Sequence, residues 1–275
     1  MAGPPEGASF ASVSVSKTYF ACGLKTDGTI ARWGDNCLVA HPPAPTPPAG
    51  TFVSVSTGAA FACGVKTDET IACWGGGANL GRATPLAGTF TSVGVGTFFG
   101  CGVRTDGTIA CWGSMSGSPP PDGGVEMPAP PDGIFASVSA GPHAACGLRT
   151  DGTVECWSPF SGLAPSPTGT FASISVGNAF ACGVRIDRTV SCWGQAAGTP
   201  PPGTFTSVSA GGWSACGVKT DGTIACWGTY WNGQLAWAAP PAGRFTSVSV
   251  DDDQACAVRT DGTIACWAFP APPLP

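Results

Sequence analysis

Short runs of alternating apolar and polar residues recur along the chain, and most of them end at glycine, proline or aspartate. One example is FTSVSA (205–210), followed by ACGVKTDGTIACWG (215–228). The alternation has the period of two that a β-strand requires, and the three- to four-residue period of an amphipathic helix is absent. The pattern predicts short strands joined by tight turns.

This pattern occurs seven times. Repeats start near residues 10, 52, 90, 135, 171, 205 and 245, and their first cysteines are spaced 34 to 45 residues apart. Repeats of about 40 residues with three or four short strands are typical of a β-propeller. We therefore predict an all-β fold, a seven-bladed β-propeller built from seven repeats of about 34–45 residues. It forms a single domain over residues 1–275, in which the proline-rich inserts are surface loops.

The repeats resemble those of the regulator of chromosome condensation family, and VSAGPHAACGLRTDGTVECW (138–157) matches that pattern almost position by position. The resemblance covers essentially the whole chain and implies a seven-bladed propeller. It does not imply one function, because the family includes a chromatin-bound exchange factor and a secreted bacterial β-lactamase inhibitor. The family's N-x-x-G-Q-L-G tail survives only as WNGQL (231–235) and loosely as ANLG (78–81).

Composition narrows the classes of partner. The 275 residues carry a net charge of −5, and the 12 Lys and Arg residues are scattered. An acidic surface of this kind disfavours nucleic acid, including chromatin, as a partner. No apolar run approaches the length of a membrane span, and the first residues show no signal peptide.

Each repeat places two cysteines across a predicted hairpin. In the second repeat, a three-residue loop at Thr67–Glu69 would bring Cys63 opposite Cys73, with Cα atoms about 4.5 Å apart. The third loop position favours φ > 0 and is glycine in five repeats, but Glu69 and Arg188 occupy it in the other two. This geometry predicts six disulfides: Cys63–Cys73, Cys101–Cys111, Cys146–Cys156, Cys182–Cys192, Cys216–Cys226 and Cys256–Cys266.

Two other interpretations of the cysteines stay open. Buried reduced thiols are the stronger one, because intracellular relatives can carry thiols at these places. A zinc site is weaker, since the spacing is not the usual C-x-x-C and the chain has only His41 and His143. We predict no metal and no cofactor.

The first repeat departs from this pattern, because Arg32 replaces the second cysteine and Cys37 follows five residues later. An even total of 14 cysteines favours a Cys22–Cys37 disulfide. The alternative is that one or both stay free and allow a link between molecules.

The tryptophan after each second cysteine points to the opposite face of its strand. Small residues surround it, as Ala62 and Gly64 do around Trp74. We therefore predict that these indoles pack against the adjacent blade and bind no ligand. The set is Trp33, Trp74, Trp112, Trp157, Trp193, Trp227 and Trp267.

The most variable short stretch precedes the first cysteine of each repeat, as in GGWS (211–214) and DDDQ (251–254). In a propeller these stretches should form a ring near one end, where variable loops commonly mediate recognition. Five repeats place a non-alanine side chain at one shared position, and these residues are Tyr19, Phe98, His143, Trp213 and Asp253. Phe20, Phe61, Phe99 and Phe180, one position later, are predicted to fill the core.

Two local features add candidate binding residues. Asp251, Asp252 and Asp253 are consecutive, so they suit a solvated turn better than a calcium site, which needs converging oxygens. The insert TYWNGQLAWA (229–238) carries Tyr230, Trp231 and Trp237. It is either a protein- or glycan-binding patch or a cover over the blade edge.

No catalytic constellation is visible in the sequence. We predict a non-catalytic, secreted or surface-exposed binding propeller of bacterial origin, located outside the cell or at its surface. It would recognise a protein partner through its rim loops. The alternatives are a structural subunit that self-assembles outside the cell, a carbohydrate-binding propeller and, last, an enzyme using His143 and the aspartates. We expect the terminal strands to close the ring by pairing within one blade, with Phe10–Val15 contributing.

Overall fold

The structure is a computed structural model that describes residues 3–16, 20–34, 46–59, 61–75, 85–114, 127–158, 166–195, 198–228, 239–251 and 254–268. These residues form twenty-one strands in seven antiparallel sheets of three. Each repeat forms one sheet, or blade, in the strand order inner, middle, outer. The predicted all-β, seven-bladed propeller is confirmed.

The first strand of each blade begins at the phenylalanine that opens each repeat. Blades 1 to 3 contain β1 Phe10–Val15, β2 Ala21–Lys25 and β3 Ile30–Trp33; β4 Phe52–Thr57, β5 Phe61–Lys66 and β6 Ile71–Gly75; β7 Phe90–Val95, β8 Phe99–Arg104 and β9 Ile109–Gly113. Blades 4 and 5 contain β10 Phe135–Ala140, β11 Ala145–Arg149 and β12 Val154–Trp157; β13 Phe171–Val176, β14 Phe180–Arg185 and β15 Val190–Gly194. Blades 6 and 7 contain β16 Phe205–Ala210, β17 Ser214–Lys219 and β18 Ile224–Gly228; β19 Phe245–Val250, β20 Gln254–Arg259 and β21 Ile264–Ala268.

The hydrophobic core lies between neighbouring blades. Each of seven apolar clusters joins the middle strand of one blade to the inner strand and the tryptophan of the next. In the cluster between blades 1 and 2, for example, Trp74 packs with Cys22 and Leu24. The tryptophans therefore pack against the preceding blade, as predicted. Six are buried, and Trp267 is half-buried.

The predicted hairpin register is also observed. Val65 pairs with Ile71, Gly64 with Ala72 and Cys63 with Cys73. All six predicted disulfides form, each with Cα atoms 4.0 Å apart. This separation is about 0.5 Å shorter than the value predicted for a non-hydrogen-bonded pair of the ladder.

The expected Cys22–Cys37 disulfide is absent. Cys22 is a free, fully buried thiol that lies opposite Arg32 in the ladder, and Cys37 lies outside the described residues. Burial raises the pKa of the Cys22 thiol to about 12, while the Arg32 charge and a hydrogen bond with Trp74 act in the other direction. The thiol is therefore protonated at neutral pH and enclosed, so it is unavailable for linking two molecules.

Ring closure differs from the expectation that terminal strands share one blade. Among the described residues, β1 pairs with β2 and β21 pairs with β20, so both end blades are complete without exchanging a strand. Blade boundaries coincide with repeat boundaries, and this leaves no strand to exchange. Blades 7 and 1 instead meet through hydrogen bonds and packing around Val13, Val15 and Val258.

The same backbone hydrogen bond joins every pair of neighbouring blades. The amide of the phenylalanine that opens one blade donates to the carbonyl of the third loop residue in the preceding hairpin, as Phe52 does to Gly28 at 2.8 Å. The contact from Phe10 to Gly262 closes the ring at 2.9 Å. Glu69 and Arg188 take positive φ angles of 67° and 68°, so they present their carbonyls as the glycines do.

Candidate functional site: a variable rim around a central cavity

The two ends of the ring differ in chemistry. We call the end formed by the hairpins between middle and outer strands the hairpin rim, and the end formed by the turns between inner and middle strands the variable rim. On the hairpin rim every blade repeats one turn, in which an aspartate Oδ1 accepts hydrogen bonds from the backbone and hydroxyl of the threonine two residues later. This uniformity indicates a structural role.

These hydrogen bonds lower the pKa of all seven turn aspartates below the usual value, the threonine hydroxyl contributing most. The aspartates are Asp27, Asp68, Asp106, Asp151, Asp187, Asp221 and Asp261. Their carboxylates stay charged at neutral pH and stabilise the turns that present the inter-blade carbonyls.

In four blades an arginine on the hairpin rim holds the chain that enters the blade. The Arg104 guanidinium lies 5.2 Å from the centre of the Phe90 ring and donates to the Ala87 carbonyl at 3.1 Å. Arg149, Arg185 and Arg259 repeat this arrangement. The recurring Lys or Arg before each turn was the available signal for this role in the sequence.

The variable rim surrounds a central cavity of about 150 Å³. The first turn residue of six blades lines it: Gly58, Gly96, Gly141, Gly177, Gly211 and Asp251. The glycines allow the blades to approach one another closely, since a Cβ on Gly58 would lie 2.0 Å from the Gly96 carbonyl oxygen.

Serine hydroxyls link the inner strands around this cavity. The serine near the end of one inner strand accepts the backbone N–H of the next, as Ser14 does from Thr57 at 3.0 Å and Ser249 from Val15 at 3.0 Å. The same contact recurs at four further junctions. The recurring F-x-S-(V/I)-S sequence was the available signal for this ring of contacts.

The junction between blades 3 and 4 lacks this serine, because Gly94 stands in its place. There the inner strands β7 and β10 lie close enough that a Cβ on Gly94 would be 2.9 Å from the Ala140 nitrogen. Ser92 instead accepts the Val138 N–H at 3.4 Å. The seventh junction therefore relies on close backbone packing.

Three of the predicted rim residues fall in described turns. Phe98 and Trp213 are half-buried and His143 is exposed, at equivalent positions of blades 3, 6 and 4, and Ala179 holds this position in blade 5. The Phe98 and His143 carbonyls accept hydrogen bonds from Ser114 and Ser158, which fix these turns. Tyr19, Asp252, Asp253, Tyr230 and Trp231 lie outside the described residues.

The core prediction one position later is confirmed. Phe20, Phe61, Phe99 and Phe180 are buried. Blade 7 carries Gln254 there, also buried, and its Nε2 donates to the Ser16 carbonyl at 3.1 Å. The phenylalanines fill the core directly below the turns, so the residues just before them are held by a rigid base.

No group of three or more His, Cys, Asp or Glu side chains in the described ranges is arranged to hold a metal ion. None of these ranges contains a helix long and apolar enough to cross a membrane.

No protein-family model matches the chain, and no curated protein matches it. Solved structures do. The CRINKLY WD40 ectodomain of the Arabidopsis thaliana receptor kinase ACR4 is 27% identical, with a TM-score of 0.75 over 96% of this chain and 98% of that one. The ectodomain of the Physcomitrella patens receptor kinase CR4 is 23% identical, with a TM-score of 0.77 over 96% and 74%.

Human WBSCR16 is 13% identical, with a TM-score of 0.70 over 93% of this chain and 88% of that one. The six disulfides, together with the similarity to ACR4, indicate a protein that faces an oxidising, extracellular environment. The blade architecture, the repeat pattern and these neighbours agree, and the chain is a seven-bladed β-propeller like those of the regulator of chromosome condensation repeat proteins.

Proposed function

We propose that this chain is a non-catalytic, extracellular binding propeller that recognises a protein partner through its variable rim. The observation that carries the proposal is the difference between the two rims. Seven copies of one turn form the hairpin rim, whereas the variable rim carries Phe98, His143, Ala179 and Trp213 at equivalent positions of the four blades where this position is described.

The side chains of the variable rim have the composition of a recognition surface. Phe98 and Trp213 keep part of their rings accessible, and His143 is exposed. Aromatic residues of this kind supply much of the binding energy at protein interfaces. Since each of these residues is followed by a buried one, Phe99, Ala144 or Ser214, and each blade has a disulfide, little conformational entropy would be lost on binding.

The similarity to the ACR4 ectodomain supports an extracellular binding role, because that protein is the outer part of a receptor kinase. A structural subunit linked through Cys22 is less well supported, since that thiol is enclosed within the fold; a link through Cys37, which lies outside the described residues, stays an alternative. A glycan-binding propeller would rest on Tyr230 and Trp231. A glycan array without hits, beside a single captured protein, favours protein recognition.

The test combines partner capture with rim variants. A triple variant, Phe98→Ala, His143→Ala and Trp213→Ala, should keep the fold, because Ala179 already occupies this position in blade 5. We expect affinity for the captured partner to fall at least about 30-fold, which corresponds to the loss of one interface hot spot of about 2 kcal/mol.

A matched control changes the hairpin rim instead. Ile186 is 70% exposed there and replaces the threonine found in most blades. Ile186→Thr should leave affinity unchanged. Equal loss of binding in both variants, or none in the triple variant, would show that the variable rim is not the recognition surface.

A further inference from the structure

The large apolar side chains that are exposed lie at one end of the ring. In the described part of the chain they are Val53, Leu86, Ile134 and Ile186. Each lies in a hairpin turn or within four residues of the phenylalanine that opens a blade, so all of them belong to the hairpin rim. They come from blades 2, 3, 4 and 5, which are consecutive. We call this set the apolar arc.

Two members of the apolar arc replace a polar pair found in other blades. In blade 2 the Oγ1 atoms of Thr51 and Thr67 are hydrogen-bonded at 2.8 Å, and blades 3 and 6 repeat this bond. Blade 4 carries Ile134 in place of the first threonine, and blade 5 carries Ile186 in place of the second. Each change gives up a hydrogen bond and leaves the new side chain 51% or 70% exposed. Neighbouring exposed apolar side chains commonly mark a contact surface.

Two hairpin turns of the same four blades carry opposite charges. Glu69 in blade 2 and Arg188 in blade 5 are exposed and occupy the third loop position, where the other five blades have glycine. Both have positive φ angles, of 67° and 68°. Glycine at either position would relieve the strain within the chain. Charged side chains at these positions therefore favour a role outside their own turns.

The order of the blades makes these features complementary to themselves. A half-turn about an axis in the plane of the ring, between blades 3 and 4, places blade 2 of one copy on blade 5 of a second copy, and blade 3 on blade 4. The blade with Glu69 in each copy then faces the blade with Arg188 in the other. The same operation brings together the apolar side chains of blades 2 and 5, and those of blades 3 and 4. A surface that matches itself in this way is the requirement for a two-fold symmetric dimer.

Ile134 lies where that axis passes. Its Cγ2 atom would be 2.6 Å from a Cβ on Gly107, the turn glycine of blade 3, so Ile134 lies over the junction between blades 3 and 4. The half-turn therefore brings Ile134 of one copy to Ile134 of the other. The two isoleucines would form an apolar centre, with the charged turns of blades 2 and 5 on either side. An apolar centre with a polar surround is the usual anatomy of a protein interface.

The charge pattern favours a second copy over a partner of one charge sign. Every hairpin turn of blades 2 to 5 contains an aspartate, and a lysine or arginine comes two residues before it. A strongly acidic or strongly basic partner would meet like charges across this surface, which opposes binding. A second copy carries both signs and can pair them.

We propose that two copies of this chain associate through the hairpin rims of blades 2 to 5, with Glu69 of each copy paired with Arg188 of the other. The inference goes beyond the proposed function, because the variable rim is at the opposite end of each propeller. In such a dimer both variable rims face outward. A partner with one binding site would bind monomer and dimer equally well, whereas a partner with two sites would bind the dimer more tightly.

Sedimentation velocity of the whole chain between about 1 and 100 µM tests the association. We expect a reversible dimer with a micromolar Kd, as for a contact of about 800 Å² per copy. Ile134→Thr combined with Ile186→Thr restores the residues of other blades, so it should keep the fold and raise the Kd at least about 30-fold. The triple variant of the variable rim is the matched control and should leave the Kd unchanged.

Charge reversal tests the pairing of Glu69 with Arg188. Glu69→Arg and Arg188→Glu each place like charges across the dimer, so each variant alone should have a Kd raised at least about tenfold. Mixed in equal amounts, the two variants should form a mixed dimer, because both contacts then join opposite charges. A variant that had merely unfolded would not regain association on mixing.

Four outcomes would overturn the proposal. The first is a chain that stays monomeric at about 100 µM. The second is a dimer that is broken by the triple variant of the variable rim and not by the isoleucine substitutions. The third is the absence of a mixed dimer from the two charge-reversed variants. The fourth is a dimer that survives SDS without reductant, since it would be covalent.

None of these measurements involves the natural partner. A monomeric chain that still loses its captured partner in the triple variant would reject only the dimer. A dimer whose partner capture is unaffected by the triple variant would reject only the recognition surface.

Discussion

Gly94 shows that, at the scale of a single residue, a departure from the repeat can be required by packing. Six repeats have serine at this position, and consensus reasoning would favour Gly94→Ser. In the structure, a Cβ at Gly94 would lie 3.0 Å from the Val138 oxygen and 3.2 Å from the Ser139 Cα, all backbone atoms of the next blade.

We therefore expect Gly94→Ser to destabilise the protein by about 1–3 kcal/mol, because the blades must separate to admit the side chain. Denaturant unfolding measures this. Ser175→Gly, the reverse change at another junction, removes the hydroxyl that accepts the Ala210 N–H at 2.9 Å and should also destabilise. A stabilised Gly94→Ser variant would show that β7 and β10 are free to move apart.

Glu69 is also a single-residue departure from the repeat, but here we expect a return to the consensus glycine to stabilise the protein. Its φ of 67° is retained because its carbonyl accepts the Phe90 N–H at 2.7 Å. Glu69→Gly removes the left-handed strain and should stabilise the protein by up to about 1 kcal/mol. Thermal unfolding should show a raised Tm. The reverse substitution Gly107→Glu, at a φ of 84°, should lower it.

At the scale of the hairpin element, blade 1 has the register of the others without their disulfide. Cys22 faces Arg32 as Cys63 faces Cys73. Arg32→Cys should therefore form a seventh disulfide and add about 2–3 kcal/mol of stability. Mass spectrometry would show the loss of two hydrogens beyond the change of side chain. Arg32→Ser is the matched control without a bridge, and equal stability of the two variants contradicts the prediction.

The aspartates in the hairpin turns predict that the stability of the folded protein falls at acidic pH. Hydrogen bonding lowers the pKa of Asp106 in the folded state, chiefly through the Thr108 hydroxyl. A group with a lowered folded pKa stabilises the protein above its unfolded pKa, about 3.9, and this contribution is lost as the pH falls through the folded value.

Seven such turns should therefore give a Tm that is steady near neutral pH and falls below about pH 4. Thr108→Val should lower the Tm at pH 7, and the deficit should shrink as Asp106 becomes protonated. Thr91→Val is the control, because its hydroxyl donates to the Val103 carbonyl and not to a carboxylate. Its effect should not vary with pH, and a Thr108→Val deficit that persists at pH 2 contradicts the assignment.

Elements were more predictable than the contacts between them. A three-residue loop with aspartate at its centre, together with alternation, was sufficient to align Cys63 with Cys73 and to place Trp74 on the opposite face, because these relations are local. The serine contacts around the cavity, the close approach at Gly94 and the place of Asp251 depend on how blades meet. One repeat viewed alone does not contain that information. The prediction of a Cys22–Cys37 disulfide was wrong because an even number of cysteines does not show which of them lie close together.

At the scale of the whole molecule, the described strands close the ring without exchange between blades. Blades 7 and 1 meet through the Phe10–Gly262 backbone bond, the Val15–Ser249 contact and the Gln254 side chain. The first two recur at other junctions. Gln254 is specific to this one, since blades 1, 2, 3 and 5 have phenylalanine at its position.

Gln254→Leu should weaken this junction, because the buried Ser16 carbonyl loses the donor at 3.1 Å. We expect a loss of about 1–3 kcal/mol, with faster hydrogen exchange concentrated in β1 and β20. Phe180→Leu, at the equivalent position of blade 5, is the control and should cause a cavity effect confined to its own surroundings. Uniform exchange over all blades in Gln254→Leu would mean that the ring unfolds as one unit and that this junction is no weaker than the other six.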